Sequence, residues 1–94
     1  MPCTVIVTLT PLPNNSDAVA DAIHKEILEI RGAAGCETYE LYRRVDGAIV
    51  LVENWSTRQA WQDHFDTDAI GRLREVLTPL LALPAERWEM YREG

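Results

Sequence analysis

The chain opens with a regular alternation of side chains that changes to a helical period after two prolines. Residues 3–10 alternate with a period of two and are rich in β-branched side chains, which predicts a strand. Pro11 and Pro13 end this strand, because each removes a backbone donor and fixes φ. Apolar residues then recur at helical spacing from Val19 to Ile30, which predicts an amphipathic helix that ends near Gly32.

A hairpin and a second helix are predicted next. Residues 36–45 and 48–55 have the character of strands, and Asp46-Gly47 between them is the strongest short-range hairpin signal. The four residues Ser56-Thr57-Arg58-Gln59 match a capping box, in which Ser56 would cap a helix that starts directly after the strand.

A further helical stretch at residues 70–77 and a last strand at residues 87–91 complete the order β-α-β-β-α-β. This is the ferredoxin-like arrangement, an α+β fold in which helices cover one face of an antiparallel sheet. The chain has 94 residues, of which 47% are hydrophobic and 26% are charged, values typical of a globular protein. We therefore expect residues 1–94 to form a single domain.

The third predicted strand is apolar on both of its faces. One face carries Ala48, Val50 and Val52, and the other carries Ile49, Leu51 and Trp55. Only one face can contact the helices, so the other needs a partner, and a second copy of the same sheet is the simplest one. The pattern predicts a homodimer.

Charge and cysteine content narrow the class of protein. The formal net charge of −6 argues against nucleic-acid binding, which requires a basic surface. Cys3 and Cys36 have no metal-ligand or redox spacing, so we expect two reduced thiols. We expect no signal peptide and no membrane span, because the strand pattern starts at once, and hence a cytoplasmic location.

The predicted hairpin brings two carboxylates together. A two-residue loop at Asp46-Gly47 would pair Tyr42 with Leu51, Glu40 with Glu53, and Thr38 with Trp55. Burial of opposed carboxylates raises the pKa of one, so Glu53 could accept a proton beside an aromatic-lined pocket. A solvated pair, or a pair bridged by Arg44, is the alternative interpretation.

The short second helix places Trp61 and His64 three residues apart, so both would flank one groove. His64 could move a proton to or from a bound phenol, or it could cap the last carbonyls of the helix. Trp55, Trp61 and Phe65 could serve as core residues or as walls of a ligand pocket. The chain has no phosphate loop, nucleotide motif, metal-ligand cluster or nucleophile motif. We therefore expect neither a metal site nor an anchored cofactor.

Three short stretches carry a family resemblance: Gly35 to Leu41, Glu53 to Ser56, and Gln59-Ala60 followed by His64. They resemble antibiotic biosynthesis monooxygenase domains, and the match in kind extends from Val5 to Tyr91. The resemblance implies ferredoxin-like subunits that pair their sheets as a dimeric α/β barrel, with a ligand pocket between sheet and helices. Some members oxidise polycyclic phenols to quinones with molecular oxygen and without metal, haem or flavin.

The resemblance also assigns positions. Trp55 falls on the strand tryptophan of the phenol oxidisers, Arg74 on a helix arginine of their pocket, and Trp61 on a tyrosine. Leu51 stands where they carry the asparagine that is thought to activate the substrate. Arg74 and His64 replace the histidine ligand and the tryptophan of haem-degrading relatives, which argues against haem degradation.

Two functions remain open. The first is a cofactor-independent monooxygenase acting on a small aromatic substrate with molecular oxygen, with His64 or Glu53 as base and Arg74 stabilising a phenolate. The walls of its pocket would be Trp55, Trp61, Tyr42 and Phe65. The second is a non-catalytic dimer that binds a small ligand or serves as a scaffold.

Overall fold

The computed structural model describes all 94 residues and has the predicted element order. The elements are β1 (Cys3–Leu9), α1 (Ser16–Arg31), β2 (Cys36–Arg43), β3 (Ile49–Trp55), α2 (Arg58–His64), α3 (Asp68–Leu77), a 3₁₀ turn (Thr78–Leu80) and β4 (Glu86–Tyr91). The strands form one antiparallel sheet in the order β2-β3-β1-β4. The α+β, ferredoxin-like expectation is confirmed, whereas the pairing of two sheets into a barrel stays a prediction.

The core lies between one face of the sheet and the helices. Alternate side chains of β1 and β3 are buried, from Cys3 to Leu9 and from Ile49 to Trp55. We call the side of the sheet that carries these residues the inner face. Helix α1 covers it with a stripe of branched residues that includes Val19, Ile23 and Ile30, and α3 adds a second stripe. The helical period of the sequence produces these stripes.

The opposite side of the sheet, which we call the outer face, carries the intervening residues. Following the strand register, its members are Thr38, Glu40 and Tyr42 of β2, Val50, Val52 and Asn54 of β3, Thr4, Ile6 and Thr8 of β1, and Glu86, Trp88 and Met90 of β4. No helix covers them, and Trp88 is 62% exposed. The outer face is thus the unpartnered face that the pattern of β3 predicted.

The hairpin between β2 and β3 differs from the prediction by one residue. The amide of Arg44 donates to the carbonyl of Ala48, so the loop contains three residues rather than two. Gly47 ends the loop in the left-handed region, with φ of 95°. This is the arrangement of a three-residue hairpin, in which a turn is followed by a glycine in a bulge. The predicted two-residue loop at Asp46-Gly47 is therefore wrong.

This extra residue moves the side chains from Thr38 to Arg43 to the other face, whereas a bulge between Cys36 and Thr38 leaves Cys36 opposite Trp55. Tyr39, not Glu40, lies opposite Glu53, and Tyr42 lies opposite Val50 on the outer face. The predicted pair of Glu40 and Glu53 does not form. Glu40 is exposed and bonds to Arg31 instead. A one-residue slip has this effect because side chains alternate between faces along a strand.

The start of α2 also differs from the prediction. Thr57, rather than Ser56, caps the helix, since its hydroxyl accepts a hydrogen bond from the amide of Ala60 at 3.0 Å. Gly35 packs directly against this turn with φ of 83°, and an added Cβ there would lie 2.5 Å from the Cβ of Ala60. A larger residue at position 35 would displace α2, and α2 carries candidate site residues.

Candidate active site

A cavity of about 590 Å³ opens between the inner face of the sheet, helices α2 and α3, and the segment that leads into β4. Most of the side chains that line it are hydrophobic: Val7, Leu9, Leu51, Trp61, Phe65, Ile70, Leu73, Leu77, Leu81, Ala82, Leu83, Pro84 and Ala85. The polar side chains around it are Tyr39, Glu53, His64, Arg74, Thr78 and Arg87. An apolar cavity of this size with a few polar groups is typical of small-molecule sites, which span roughly 300–1,000 Å³.

Glu53 is the one carboxylic acid that the inner face holds inside the cavity. It is 2% exposed, and its Oε1 accepts a hydrogen bond from the indole Nε1–H of Trp55 at 3.0 Å. Burial raises the pKa of Glu53 to about 7, against smaller lowering effects of the Trp55 hydrogen bond and of the positive charge of Arg87. The carboxyl group is therefore about half ionised at neutral pH.

Tyr39 lies directly across the strand pair from Glu53 and is also 2% exposed. Burial and the nearby Glu53 raise the pKa of Tyr39, so its hydroxyl stays protonated. Every side-chain nitrogen and oxygen that is fully shielded from solvent has a hydrogen-bond partner in the chain. The hydroxyl of Tyr39 and Oε2 of Glu53 make no hydrogen bond within the chain, so neither atom is fully shielded. Since both residues line the cavity, these two atoms are open to a ligand.

His64 ends α2 with its ring fixed on both sides. The Trp55 indole packs against the imidazole with ring centroids 4.5 Å apart, and Phe65 packs at the same distance. Nδ1 contacts the carbonyl of Trp61, so it carries the proton, and Nε2 is left as an acceptor. Burial lowers the pKa of His64, which keeps the ring neutral.

Two arginines reach the cavity from different elements. Arg87 of β4 lies over the ring of Phe65, with its guanidinium carbon 5.4 Å from the ring centroid. Arg74 of α3 lines the cavity from the helical side. Neither arginine forms an ion pair with an acid of the chain, and both are exposed to solvent through the opening.

The structure brings most of the predicted site residues together. His64, Arg74, Glu53, Trp61 and Phe65 all line the cavity. Trp55 does not line it, because it is fully buried behind His64 and Glu53 and contacts both. Trp55 therefore supports His64 and Glu53 from behind without reaching the cavity itself.

Tyr42 was predicted as a wall of the pocket, and this placement is wrong. It is 58% exposed on the outer face, because the hairpin register is shifted by one residue. The same shift explains why Tyr39 was missed. Arg87 was missed because nothing in the alternation of residues 87–91 indicates which face of the sheet each side chain takes.

The structure contains no metal-binding cluster, no membrane-spanning helix and no disulfide. No group of three or more His, Cys, Asp and Glu side chains could hold a metal ion together. None of the helices has the length and apolar character required to cross a membrane. Cys3 on β1 and Cys36 on β2 both lie opposite Trp55 of the intervening strand β3, and they form no disulfide.

Comparison with known proteins gives consistent matches along the chain. The family model described as antibiotic biosynthesis monooxygenase matches residues 2–76. A protein of Mycobacterium tuberculosis that carries the provisional name monooxygenase Rv0793 is 30% identical over 84 residues, which are 88% of this chain and 83% of the relative. The solved structure of Rv0793 has a TM-score of 0.92 at 26% identity, and the match covers 100% of this chain and 97% of that one.

A solved structure from Nitrosomonas europaea, provisionally named as an antibiotic biosynthesis monooxygenase, has a TM-score of 0.90. The match covers 95% of this chain and 88% of that one at 18% identity, so it shows a shared fold alone.

Proposed function

Because the chain belongs to the antibiotic biosynthesis monooxygenase family, we propose that it is a monooxygenase that oxidises a small aromatic phenol, quinol or anthrone with molecular oxygen and no bound cofactor. One observation carries the proposal beyond the family. A buried carboxyl group, Glu53, has a free oxygen facing an apolar cavity and a pKa of about 7. A general base works best when its pKa lies close to the working pH.

The cavity suits a flat aromatic molecule. Its volume of about 590 Å³ can hold a fused ring system, and hydrophobic side chains form most of its walls. The edge-on contact between Trp61 and Phe65, with centroids 5.1 Å apart, supplies an aromatic wall beside the polar groups.

The proposed reaction starts with a proton transfer to Glu53. Its carboxylate removes a proton from the phenol or from the acidic CH₂ of an anthrone, and the substrate becomes an electron-rich anion. The anion reduces dioxygen, and the new C–O bond gives a hydroperoxide that takes the proton back. Loss of water then forms the carbonyl. The CH₂ group and O₂ become C=O and H₂O, so the substrate supplies all four electrons.

Neighbouring groups would hold the substrate oxygen. The protonated hydroxyl of Tyr39 can donate a hydrogen bond to it, and this interaction strengthens as negative charge develops. Nε2 of His64 can accept a hydrogen bond from a substrate hydroxyl. The positive charge of Arg87 also favours the anion, because opposite charges attract.

Oxygen uptake tests this function. We expect the wild-type protein to consume oxygen with anthrones or reduced naphthoquinols, and Glu53→Gln to reduce kcat about 10²-fold or more. Activity should rise with pH and level off above about 7, because Glu53 must be ionised to accept a proton. Glu40→Gln, on the outer face, is the matched control and should retain full activity.

Failure of the wild-type protein to consume oxygen with every member of such a panel would reject the monooxygenase proposal. Ligand binding in the cavity without turnover would then favour the second candidate, a small-ligand-binding protein of the same fold.

The proposed assembly is a homodimer through the outer face. Ile6, Val50 and Val52 form an apolar centre on this face, flanked by Trp88 and Met90. An exposed apolar patch of this kind is characteristic of an interaction surface, and a two-fold axis would place the same patch on both subunits.

A further inference from the structure

The arginines of this chain fall into two groups. Five of the eight arginines form ion pairs with acidic side chains, namely Arg31, Arg43, Arg44, Arg58 and Arg72. The three without an acidic partner are Arg74, Arg87 and Arg92. Two of these three, Arg74 and Arg87, line the cavity.

This distribution is unexpected in a chain with 15 acidic residues and a net charge of −6. Acidic partners are abundant on the surface, where Arg72 alone contacts both Glu26 and Glu29. The cavity has one carboxyl group, Glu53, which is about half ionised at neutral pH. Its wall therefore has a positive surplus inside an acidic protein. An anionic ligand would give the two cavity arginines the charged partner that the chain does not supply.

The two arginines approach the cavity from opposite layers of the fold. Arg87 comes from the sheet and lies over Phe65, near enough for its charge to act on Glu53, Tyr39 and His64. Arg74 comes from α3, which packs above the sheet. Because both arginines line the same cavity, a ligand there would have a cation from each layer among its neighbours, together with hydrophobic side chains.

We propose that the ligand of this cavity is an aromatic acid, in which a fused ring system carries a carboxylate bound by Arg74 and Arg87. The inference rests on the proposed function, since it concerns the same cavity and defines the substrate class more narrowly. Guanidinium groups suit a carboxylate because their N–H donors match its two oxygens, and such charged hydrogen bonds are stronger than neutral ones. A neutral phenol would leave the surplus charge of the two arginines unmatched.

Binding of two matched probes tests the proposal without turnover. Anthraquinone-2-carboxylate and anthraquinone-2-carboxamide have the same rings and differ in charge. We expect the carboxylate to bind the wild-type protein about tenfold or more tightly, measured by calorimetry or by quenching of tryptophan fluorescence. Raising the salt concentration should weaken the binding of the carboxylate and leave that of the carboxamide unchanged.

Arginine variants locate the effect. Arg74→Gln and Arg87→Gln should each reduce the preference for the carboxylate several-fold and change carboxamide binding little. Arg92→Gln removes the third arginine without an acidic partner, outside the cavity, and should leave the preference intact. Equal affinities of the wild type for both probes would overturn the proposal. An equal loss in Arg92→Gln would also overturn it, since the preference would then come from overall charge.

The aromatic-acid proposal and the monooxygenase proposal can fail independently of each other. Oxygen uptake that is equally efficient with neutral and acidic substrates would reject the aromatic acid and keep the monooxygenase. A clear preference for the carboxylate probe without any oxygen uptake would reject the monooxygenase and keep the anion site.

Discussion

The inner and outer faces of the sheet come from the same four strands and perform opposite tasks. The inner face is covered by helices, yet it holds ionisable groups: Glu53 and Tyr39 lie buried beside the cavity. The outer face is open to solvent, yet its centre is apolar, with Ile6, Val50 and Val52 side by side. A monomer would more commonly expose ionisable side chains such as Glu53 and bury apolar ones such as Val50 and Val52, which is the reverse of what these positions show.

This comparison shows that the alternation of side chains along a strand can put ionisable residues on the buried face and apolar residues on the exposed face. Polar side chains on the inner face are retained where a ligand can satisfy them, since Oε2 of Glu53 and the hydroxyl of Tyr39 have no partner in the chain. In the proposed homodimer, a second subunit would cover the apolar side chains of the outer face. The hairpin loop decides which side chains of β2 join each face, because a shift of one residue would exchange Tyr39 and Tyr42 between the faces.

The largest expected effect comes from Tyr39→Ala. Tyr39 is 2% exposed in the core opposite Glu53, because the three-residue loop places it on the inner face. We expect a loss of about 3 kcal/mol or more in the free energy of unfolding, as for truncation of other buried aromatic residues. Urea denaturation measures it.

Tyr42→Ala is the matched control and should cost less than about 1 kcal/mol, because Tyr42 is 58% exposed on the outer face. The shifted register of a two-residue loop would exchange the faces of these two tyrosines. A larger loss in Tyr42→Ala than in Tyr39→Ala would therefore contradict the three-residue loop.

The loop also marks the limit of what the sequence predicts about the fold. Period-two and helical patterns were sufficient for β1, β3, α1 and α3, because each of these elements buries one face or stripe. Asp46-Gly47 correctly indicated a hairpin, but a glycine in the left-handed region serves both two-residue and three-residue loops. The choice between them depends on Val45, whose side chain carries no information about it.

The second effect concerns the inner face and the pH dependence of stability. The pKa of Glu53 is raised from 4.5 to about 7 by folding, so the folded state binds this proton more tightly than the unfolded state. Stability is therefore lost as the pH rises from about 4.5 to about 7, by an amount on the order of 3 kcal/mol. Glu53→Gln removes this titration, so its stability relative to wild type should increase over that range.

Denaturation of wild type and Glu53→Gln at pH 4 and pH 8 measures the difference. His64 has a lowered pKa and acts in the opposite direction, destabilising the folded state as the pH falls. Its effect is common to both proteins and cancels in the comparison. Glu40→Gln, from the outer face, should show no such pH-dependent gain. A difference between wild type and Glu53→Gln that does not vary with pH would contradict the prediction.

The third effect concerns the outer face. Val52→Lys places a charge at the centre of the proposed interface, and a buried unpaired charge is costly. We expect the dissociation constant of the dimer to rise about 30-fold or more, equivalent to about 2 kcal/mol, as measured by sedimentation velocity. Leu28→Lys is the control, because Leu28 is 79% exposed on α1, away from the sheet. A wild-type protein that sediments as a 10.7 kDa monomer would contradict the prediction.

The candidate site was less predictable than the fold. His64, Trp61 and Phe65 were placed beside the cavity from their positions on one short helix, which do not depend on strand pairing. Glu53 also lines the cavity, although it was singled out through a pair with Glu40 that does not form. Tyr39 and Arg87 depend on the register of β2 and on the orientation of β4, which pairing with β1 determines. Sites assembled across strands need tertiary information that local patterns do not contain.

The smallest expected effect comes from removing the hydrogen bond that Trp55 donates to Glu53. Trp55→Phe keeps an aromatic ring against His64 but removes the Nε1–H donor to Glu53. That hydrogen bond stabilises the carboxylate, so its loss should raise the pKa of Glu53 from about 7 by roughly one further unit. Carbon-13 NMR titration of the glutamate carboxyl groups follows this pKa directly and requires no substrate. Trp61→Phe is the matched control, because Trp61 lines the cavity without a bond to Glu53 and should leave the midpoint unchanged. An unshifted midpoint in Trp55→Phe would mean that the hydrogen bond from Trp55 does not lower the pKa of Glu53.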